Sequence, residues 1–547
     1  MAYQFKLTNS LEKIMFGKPD GLPEFSHSTM LKNEIFSFQL AGWFSSKEDQ
    51  KTTCTIHIES PLHEYISIYQ VDYVPVMVPS IEIDDDEDYL TKYPGLFPDP
   101  LHRIKDGKLE LVNRQTRAFW FVVEPKGAVS GYYPIRLHIY DNTGALVEEL
   151  CCEVDILDAE LPDAGICNTG WFHGDCLATI HHVDIMSEEY FSIVEKYLEV
   201  YVKFGHNMIL TPVFTPPLDT DVGAERPTNQ LVGVKRVNGT YQFEYSLLKK
   251  WIDICLRSGI RWFEISHLFT QWGAGHAPKI MVEENGILTR RFGWETEALG
   301  AEYREFLHAF LPSLVDFLER EQVLDRCYFH ISDEPQPKHE AQYTGARKIM
   351  LQYISSDRLI DALQEYDLYE KGVITKPIVS NDHIHVFMEK GVKHLWTYYC
   401  MAQRKKVANR FIAMPAYRNR ILGTQLYKNE IEGFLQWGFN FWFTERSRKV
   451  LDPYRDTCAG GGFPSGDPFV VYPLSADGEV VCSTRLYVFN EGLQDLRALK
   501  LLESLTNRQT VLELLERVKG FREYPRSNAY ILNLRETVNR MIRENLN

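Results

Sequence analysis

Two adjacent carboxylates, Asp333 and Glu334, stand directly after an apolar run over 327–331 that is typical of a buried strand. Two acids within a few Å of each other cannot both ionise freely, so the pKa of one rises and that of the other falls. Such a pair supplies a proton donor and a permanent anion, the two groups that cleavage of a glycosidic bond requires. An alternative interpretation fits equally well: Ser332 or Asp333 caps a helix whose first turn contains Pro335.

Pro335 is expected to restrict the backbone of the residue before it. Because proline disfavours the α region for its predecessor, we predict an extended backbone at Glu334 and two acidic side chains that point in different directions. The pair titrates as a unit, and we expect Asp333 to have the depressed pKa and to be the ionised member.

The two parts of the chain carry different hydrophobic patterns. Up to about residue 160, apolar and polar residues alternate with period two between turn-forming residues, which predicts antiparallel strands packed as a β-sandwich. The six clearest runs are 36–40, 53–58, 65–69, 119–123, 135–139 and 150–154, and 141–144 is predicted to be a hairpin turn.

Beyond about residue 165, strand-like runs alternate with amphipathic stretches of helical period, most clearly 189–204, 245–258, 301–319 and 486–505. We predict parallel strands at 166–172, 208–214, 262–268, 327–332, 377–380, 394–399, 433–442 and 469–472. Eight such units that close on themselves form a (β/α)₈ barrel of the TIM type, although the spacing also permits a doubly wound sheet. The predicted fold is therefore multidomain α/β: a β-sandwich domain over 1–160, then a catalytic barrel over 161–547 that includes the C-terminal helices.

In such a barrel, residues at the C-terminal ends of the strands meet at one face. The predicted substrate-binding residues there are His173, His267, Gln271, Trp272, Asn381, Asp382, Tyr398, Trp437 and Asn440. Their polar groups can hydrogen-bond hydroxyl groups, and their rings can stack on a sugar face. Structural roles stay open for the two histidines, for Trp437 as a core residue and for Asp382 as a helix cap. Tyr398 and Tyr399 point to opposite sides of a strand, so at most one of them faces the interior.

The acidic pair lies in the segment Phe-His-Ile-Ser-Asp-Glu-Pro-Gln-Pro over 329–337, which resembles the catalytic motif of glycoside hydrolase family 123, the β-N-acetylgalactosaminidases and related barrel proteins. The aromatic strand 394–399, the helix 418–423, the tryptophan-rich strand 433–442 and the loop and strand 466–473 are similar to segments of the same family. The resemblance runs from about Gly165 to the C-terminus and more loosely before it, and it adds Trp396 to the predicted substrate-binding residues.

The resemblance implies substrate-assisted catalysis, in which the 2-acetamido oxygen of the sugar attacks its own anomeric carbon. Asp333 would hold the acetamide N–H and stabilise the oxazolinium-like intermediate, and Glu334 would be the general acid/base. The implied substrate is a β-linked 2-acetamido-2-deoxy sugar, an N-acetylgalactosaminide above all, cleaved from the chain end with retention of configuration.

Two alternatives stay open. A barrel glycosidase without the acetamide requirement would pair Glu334 with a carboxylate from another strand, such as Asp382 or Glu264. A barrel that binds glycans without cleaving them is the third hypothesis, and two repelling acids in its site argue against it.

Composition excludes several classes of partner. A net charge of −16 argues against nucleic acid and anionic membranes, which both require a positive surface. We find no signal peptide and no apolar run of about 18 residues, so we expect a cytoplasmic protein that does not span a membrane. The ten cysteines are then expected to be reduced.

No cofactor and no metal are expected, because the chain has neither His-Glu-x-x-His nor paired Cys-x-x-Cys motifs. The acidic run 84–88 is interpreted as a solvated loop. Carbohydrate is the predicted partner, and the sequence leaves the oligomeric state open.

Overall fold

The computed structural model describes residues 2–82, 86–220, 222 and 224–546. The strands of the first part of the chain are β1 (Ala2–Asn9), β2 (His27–Leu31), β3 (Phe36–Ser45), β4 (Lys51–Glu59), β5 (Ile66–Val76), β6 (Gly95–Ile104), β7 (Lys108–Val112), β8 (Arg117–Val123), β9 (Gly131–Tyr140) and β10 (Leu146–Leu157). The later strands are β11 (Cys167–Gly170), β12 (Met208–Thr211), β13 (Gly233–Val237), β14 (Thr240–Glu244), β15 (Trp262–Ile265), β16 (Ile280–Glu284), β17 (Ile287–Phe292), β18 (Cys327–Phe329), β19 (Asp361–Leu363), β20 (Pro377–Ser380), β21 (Trp396–Tyr398), β22 (Gly433–Gln436), β23 (Val471–Leu474) and β24 (Val480–Ser483).

The α-helices all lie in the second part of the chain. They are α1 (Gly174–His181), α2 (Glu188–Lys203), α3 (Ser246–Ser258), α4 (Ala301–Arg320), α5 (Glu340–Met350), α6 (Tyr366–Glu370), α7 (Ile384–Glu389), α8 (Tyr417–Lys428), α9 (Thr484–Leu505), α10 (Arg508–Leu514) and α11 (Asn528–Asn545). The four predicted helical stretches correspond to α2, α3, α4 and α9. Within the described residues, no helix combines the length and the apolar character needed to cross a membrane.

Two sheets form the first part of the molecule. One has the strand order β1-β3-β8-β5-β6-β24-β23, and the other has the order β2-β10-β9-β4-β7. Side chains from both, such as Phe38 on β3 and Leu137 on β9, belong to one buried apolar cluster, so the two sheets pack against each other. All six predicted runs are strands, and the turn between β9 and β10 is closed by a hydrogen bond from the Gly144 N–H to the Asp141 carbonyl at 3.0 Å.

An eight-stranded sheet forms the second part, with the order β18-β15-β12-β11-β22-β21-β20-β19. Its neighbouring strands are parallel. A parallel bridge between Phe329 and Leu359 joins the two outer strands, and the Ile360 N–H donates to the Phe329 carbonyl at 3.0 Å. The strand order therefore follows the chain order all the way round, and the C-terminal ends of the eight strands share one face.

One of the eight predicted parallel strands was wrong. The run 469–472 overlaps β23, which pairs antiparallel with β24 and extends the seven-stranded sheet of the first part. The missing parallel strand is β19, which we did not predict because it has three residues and begins with a buried acid, Asp361. A pattern of four to eight apolar residues cannot detect so short a strand.

The interpretation of 84–88 as a solvated loop was wrong for Asp86 and Asp88, while Asp84 and Asp85 lie outside the described residues. The Asp86 carboxylate is paired with the Arg526 guanidinium at 2.9 Å. Burial raises the pKa of Asp86, but hydrogen bonds from Arg526 and from the Lys406 N–H outweigh it and lower that pKa to about 2. The acid therefore joins this segment to the region before α11.

Helices α8 and α9 cross at a pair of glycines. A Cβ atom on Gly423 would overlap the carbonyl group of Gly492, and a Cβ atom on Gly492 would lie 2.6 Å from the Arg420 carbonyl oxygen. The two backbones are therefore in direct contact, and neither position has room for a side chain.

We expect Gly423→Ala to lower the free energy of unfolding by about 3 kcal/mol, since the backbones must separate to admit a methyl group. Chemical denaturation measures the change. The matched control is Gly520→Ala, because nothing lies within 4 Å of a Cβ atom there. Equal stability of the two variants would contradict the close crossing.

Candidate functional site

A cavity of about 130 Å³ opens at the C-terminal ends of the parallel strands. Asp333 and Glu334, which follow β18, both line it. The other lining residues are Trp171, Leu218, Asp219, Gln271, Trp272, Ala362, Tyr398, Cys400, Met401, Leu435, Trp437 and Phe463. The cavity thus combines three carboxyl groups with aromatic and apolar walls, which is the composition of a pocket for a small polar ligand.

The Asp333 carboxyl group lies at a site where its charge is costly. Burial raises its pKa well above the usual range, and the negative charge of Glu334 raises it further, while the charge of His330 opposes the shift. The expected depressed pKa was therefore wrong. Adjacency in the sequence predicts that one acid of a pair resists ionisation, but the depth of each side chain decides which one.

Glu334 is held by two side-chain donors. Its Oε1 accepts hydrogen bonds from the Tyr398 hydroxyl at 2.5 Å and from Gln364 Nε2 at 3.3 Å. The backbone of Glu334 has φ = +43°, so the predicted extended conformation was wrong. A positive φ is rare for a residue with a side chain, and such strain is typical of functional sites.

Tyr398 and Tyr399 lie on opposite sides of their strand, as predicted. Tyr398 lines the cavity, and burial together with the charge of Glu334 raises the pKa of its hydroxyl group. Tyr399 is fully buried and packs on Phe434 with ring centroids 5.0 Å apart. Only Tyr398 can therefore take part in the chemistry of the cavity.

A strained loop carries Trp272 into the cavity. Trp272, Gly273 and Ala274 have φ values of +59°, +118° and +58°. Ser332 Oγ accepts hydrogen bonds from the Gly273 N–H at 3.2 Å and the Ala274 N–H at 3.0 Å, and the Trp272 N–H donates to the Asp333 carbonyl at 2.8 Å. The segment that holds the acids thus also fixes the indole, which is 44% exposed.

Four of the predicted substrate-binding residues line the cavity: Gln271, Trp272, Tyr398 and Trp437. Gln271 bridges two loops, because its Oε1 accepts from the Asp219 N–H at 2.8 Å and its Nε2 donates to the Thr220 carbonyl at 3.0 Å. The Trp437 indole N–H donates to Asp467 Oδ2 at 3.0 Å, which orients the ring.

His173 and Asn440 lie behind the cavity wall and bind each other. The His173 N–H donates to Asn440 Oδ1 at 2.9 Å, and Asn440 Nδ2 donates to the His173 carbonyl at 3.0 Å. His173 Nδ1 lies 2.9 Å from Arg226, and its Nε2 lies 2.9 Å from the Trp437 carbonyl. Burial and the charge of Arg226 lower the pKa of His173 to about 3, so its ring is neutral.

Asn381, Asp382 and Trp396 also lie outside the cavity lining. Asn381 Nδ2 donates to the Ala408 carbonyl at 2.9 Å, and Asp382 Oδ1 accepts from Gln403 Nε2 at 3.2 Å. Trp396 is buried among aromatic rings, including that of Tyr328 at 5.3 Å. Substrate contact by these residues, and by His173, His267 and Asn440, stays a prediction.

The buried ring of His330 lies between two acids. Its Nε2 lies 2.5 Å from Glu264 Oε1 on β15, and its Nδ1 lies 3.1 Å from Asp361 Oδ1 on β19. Burial lowers the pKa of His330, but the hydrogen bonds and charges of the two acids outweigh it and raise that pKa to about 10. The ring is therefore an imidazolium at neutral pH, and it joins three neighbouring strands.

The same acids bind other parts of the site. Glu264 Oε1 also accepts from the Trp171 indole N–H at 2.7 Å, and Asp361 accepts from the Tyr343 hydroxyl at 2.5 Å. Asp361 Oδ1 in addition accepts from the backbone N–H of Ile331 at 3.1 Å, two residues before Asp333. The ion-pair network thus fixes the position of Asp333 and Glu334 relative to the ends of the strands.

His267, His330 and Asp361 have ligand atoms within 4.8 Å of one another, a spacing that a metal site would also have. Both nitrogens of His330 already face carboxylates. The two imidazole rings are stacked, with centroids 4.2 Å apart and an interplanar angle of 17°, so their in-plane lone pairs do not converge on one point. An imidazolium between two acids explains this geometry better than a bound ion does.

Eight of the lining residues are absent from the predicted site, and three of them show why. Trp171 directly follows β11, and its position after the end of a strand was a usable signal. Asp219 lies in a loop after β12, and Phe463 lies between β22 and β23, where no periodic pattern points to the cavity.

Replacement of His330 is expected to destabilise the protein in a pH-dependent way. His330→Gln leaves two buried acids without their cation, which should cost about 3–5 kcal/mol of unfolding free energy at pH 7. Because the folded-state pKa of His330 is raised from 6.5 to about 10, the stabilisation is complete below pH 6.5 and is lost as the pH rises towards 10.

Urea denaturation of both proteins between pH 6 and pH 10 measures this difference, which should shrink as the pH rises. The control is His63→Gln, since His63 is exposed. A difference that stays constant across this range would mean that His330 is not an imidazolium.

Comparisons with known proteins give a family and similar folds. A family model described as glycoside hydrolase 123, catalytic domain, matches residues 171–502. A family 123 glycoside hydrolase from Clostridium perfringens, studied for glycolipid glycan hydrolysis, is similar in fold over 100% of this chain and 98% of that chain, with a TM-score of 0.75 and 15% sequence identity. A β-glucuronidase from Bifidobacterium dentium aligns over 90% of this chain and 66% of that chain, with a TM-score of 0.31 and 9% identity. Curated proteins yield no match.

Proposed function

The chain belongs to glycoside hydrolase family 123 and is a glycoside hydrolase that acts on carbohydrate. We propose that it cleaves β-linked 2-acetamido-2-deoxy sugars, most simply N-acetylgalactosaminides. The observation that carries the proposal is that Asp333 and Glu334 line one cavity together. We further propose exo action, since a small cavity at the ends of the strands suits a terminal sugar.

The proposed mechanism assigns different roles to the two acids. The acetamide oxygen attacks the anomeric carbon while Glu334 gives its proton to the leaving oxygen, so the glycosidic bond breaks as the oxazolinium ring forms. Asp333 accepts a hydrogen bond from the acetamide N–H and stabilises the positive charge of the oxazolinium ring. Water then attacks the anomeric carbon, Glu334 removes its proton, and the ring opens with overall retention of configuration.

The raised pKa of Asp333 is compatible with this scheme. In the free enzyme, Asp333 resists ionisation and is the member that retains the proton shared by the pair. A bound acetamide N–H donates a hydrogen bond to Asp333 and therefore favours its ionised form. We propose that this hydrogen bond moves the shared proton to Glu334. Glu334 is then protonated, and ready to act as the general acid, when the correct substrate is bound.

Tyr398 supports the first half of the reaction, in which Glu334 gives up its proton. Its hydroxyl donates to Glu334 Oε1 at 2.5 Å, and Gln364 donates to the same oxygen. Both bonds stabilise the carboxylate that forms when Glu334 gives up its proton. The Glu334 carboxylate can then act as the base that activates water.

The alternative glycosidase, which needs no acetamide, loses support for both carboxylates first considered. Glu264 is bound by His330 and Trp171, and Asp382 is bound by Gln403, and neither residue lines the cavity. Asp219 does line the cavity, so it is the residue that this alternative would need as its second carboxylate.

For the architecture, we propose a β-sandwich joined to a (β/α)₈ barrel, with the boundary near residue 160. The shared core of the two sheets of the first part and the parallel bridge between Phe329 and Leu359 support this description.

Glu334→Gln is expected to lower kcat by about 10²–10⁴ on an aryl N-acetyl-β-galactosaminide with little change in KM, because it removes the proton donor. Asp333→Asn should lower kcat to a similar extent, since it removes the charge that stabilises the intermediate. Steady-state kinetics measure both, with the exposed Glu389→Gln as control. Activity of Glu334→Gln within a few-fold of wild type would rule out its role.

The requirement for the acetamide is tested by substrate pairs. The 2-acetamido glycoside should be cleaved and its 2-hydroxyl counterpart should not, and a thiazoline analogue of the intermediate should inhibit strongly, as mimics of high-energy species do. Efficient hydrolysis of the 2-hydroxyl glycoside without inhibition by the thiazoline would instead support the alternative glycosidase.

A further inference from the structure

A third carboxyl group, that of Asp219, is built into the cavity by three loops. Its N–H donates to Gln271 Oε1 at 2.8 Å, and its Oδ2 accepts from the Arg446 N–H at 2.7 Å. The Ser447 hydroxyl donates to its carbonyl at 2.9 Å, and its φ of +46° is unusual for a residue with a side chain. A carboxyl group held in this way cannot easily turn out of the cavity when a ligand enters.

The cavity has an excess of negative charge. Among the described residues that line it, three are acids and none is lysine, arginine or histidine. The buried Arg226 guanidinium behind the wall is already paired with Asp175, at 2.7 Å from each carboxylate oxygen. Burial raises the pKa of Asp219 to about 6, although the hydrogen bond from the Arg446 N–H lowers it in part. The carboxyl group is therefore ionised at neutral pH.

Such a cavity distinguishes ligands by charge. A sulfate or carboxylate group on a sugar would enter a site whose described lining residues include three acids and no cation, where like charges repel. An uncharged sugar presents hydroxyl groups, which a carboxylate binds well as an acceptor. The positive charge that develops during glycoside cleavage is favoured by the same field.

We propose that Asp219 is a specificity-determining residue that accepts hydroxyl groups of an uncharged terminal sugar and excludes sulfated and uronic sugars. The proposal rests on the proposed function, because it names the substrate class of the same site. It assigns to Asp219 a role in binding, whereas the alternative glycosidase would make it a second catalytic carboxylate.

The test compares N-acetylgalactosamine with its 6-sulfate by NMR titration of the full-length protein at neutral pH. We expect wild type to bind the neutral sugar at least about 100-fold more tightly, since a like-charge contact costs several kcal/mol and 1.4 kcal/mol corresponds to a factor of ten. Asp219→Asn should reduce this ratio about tenfold or more, mainly through tighter binding of the sulfated sugar.

The matched control is Glu225→Gln. It makes the same change of charge in the same loop, but Glu225 pairs with Lys279 and Arg290 and does not line the cavity. This variant should keep the wild-type ratio.

Equal binding of the two sugars by wild type, an unchanged ratio in a folded Asp219→Asn variant, or no binding of either sugar would overturn the proposal. If the variant fails to fold, the wild-type ratio alone decides the charge argument. Turnover separates the remaining hypotheses: loss of kcat by more than about 10³ on Asp219→Asn with unchanged KM would make Asp219 catalytic and overturn its assignment to specificity. A retained binding ratio without hydrolysis of any glycoside would instead disprove only the proposed function.

Discussion

The ion-pair network of Glu264, His330 and Asp361 is the constraint on which the rest of the site depends. Each of its charges lies in the interior of the parallel sheet, where an unpaired charge would be prohibitively costly. The three residues must therefore stay in register, and with them β15, β18 and β19. Because Asp361 also binds the Ile331 N–H and Glu264 binds the Trp171 indole, the floor of the cavity and the acidic pair are positioned by one set of contacts.

Backbone strain accumulates where this support is strongest. Glu334 and the loop from Trp272 to Ala274 adopt left-handed backbone conformations that are normally unfavourable for residues with side chains. Ser332 and the Asp333 carbonyl satisfy the N–H groups of that loop, so one short segment stabilises both the acids and the indole opposite them. The arrangement is consistent with a site that is organised before its ligand arrives, which lowers the cost of reaching the transition state.

The positions of the acidic pair and of Tyr398 could be predicted because they are encoded locally, whereas properties that depend on burial could not. The Asp333–Glu334 pair, the strand before it and the inward Tyr398 follow from residue types and from period two. The direction of the pKa shift of Asp333 depends on burial that adjacency does not report, and β19 is too short for any periodic signal. Asp219 lies in an aperiodic loop, so only the folded chain brings it to the cavity.

The hairpin β23–β24 has a consequence for how such proteins can be divided and recombined. It comes late in the chain but adds two strands to the seven-stranded sheet of the first part, next to β6. Arg485, just after β24, forms a buried ion pair with Asp99 on β6 at 2.8 Å. A gene fragment that ends near residue 160 would encode a sheet with an open edge and a buried aspartate without its cation, and open edges promote aggregation. The first 160 residues are therefore not an interchangeable cassette: evolution can exchange them only together with the later segment that completes their sheet.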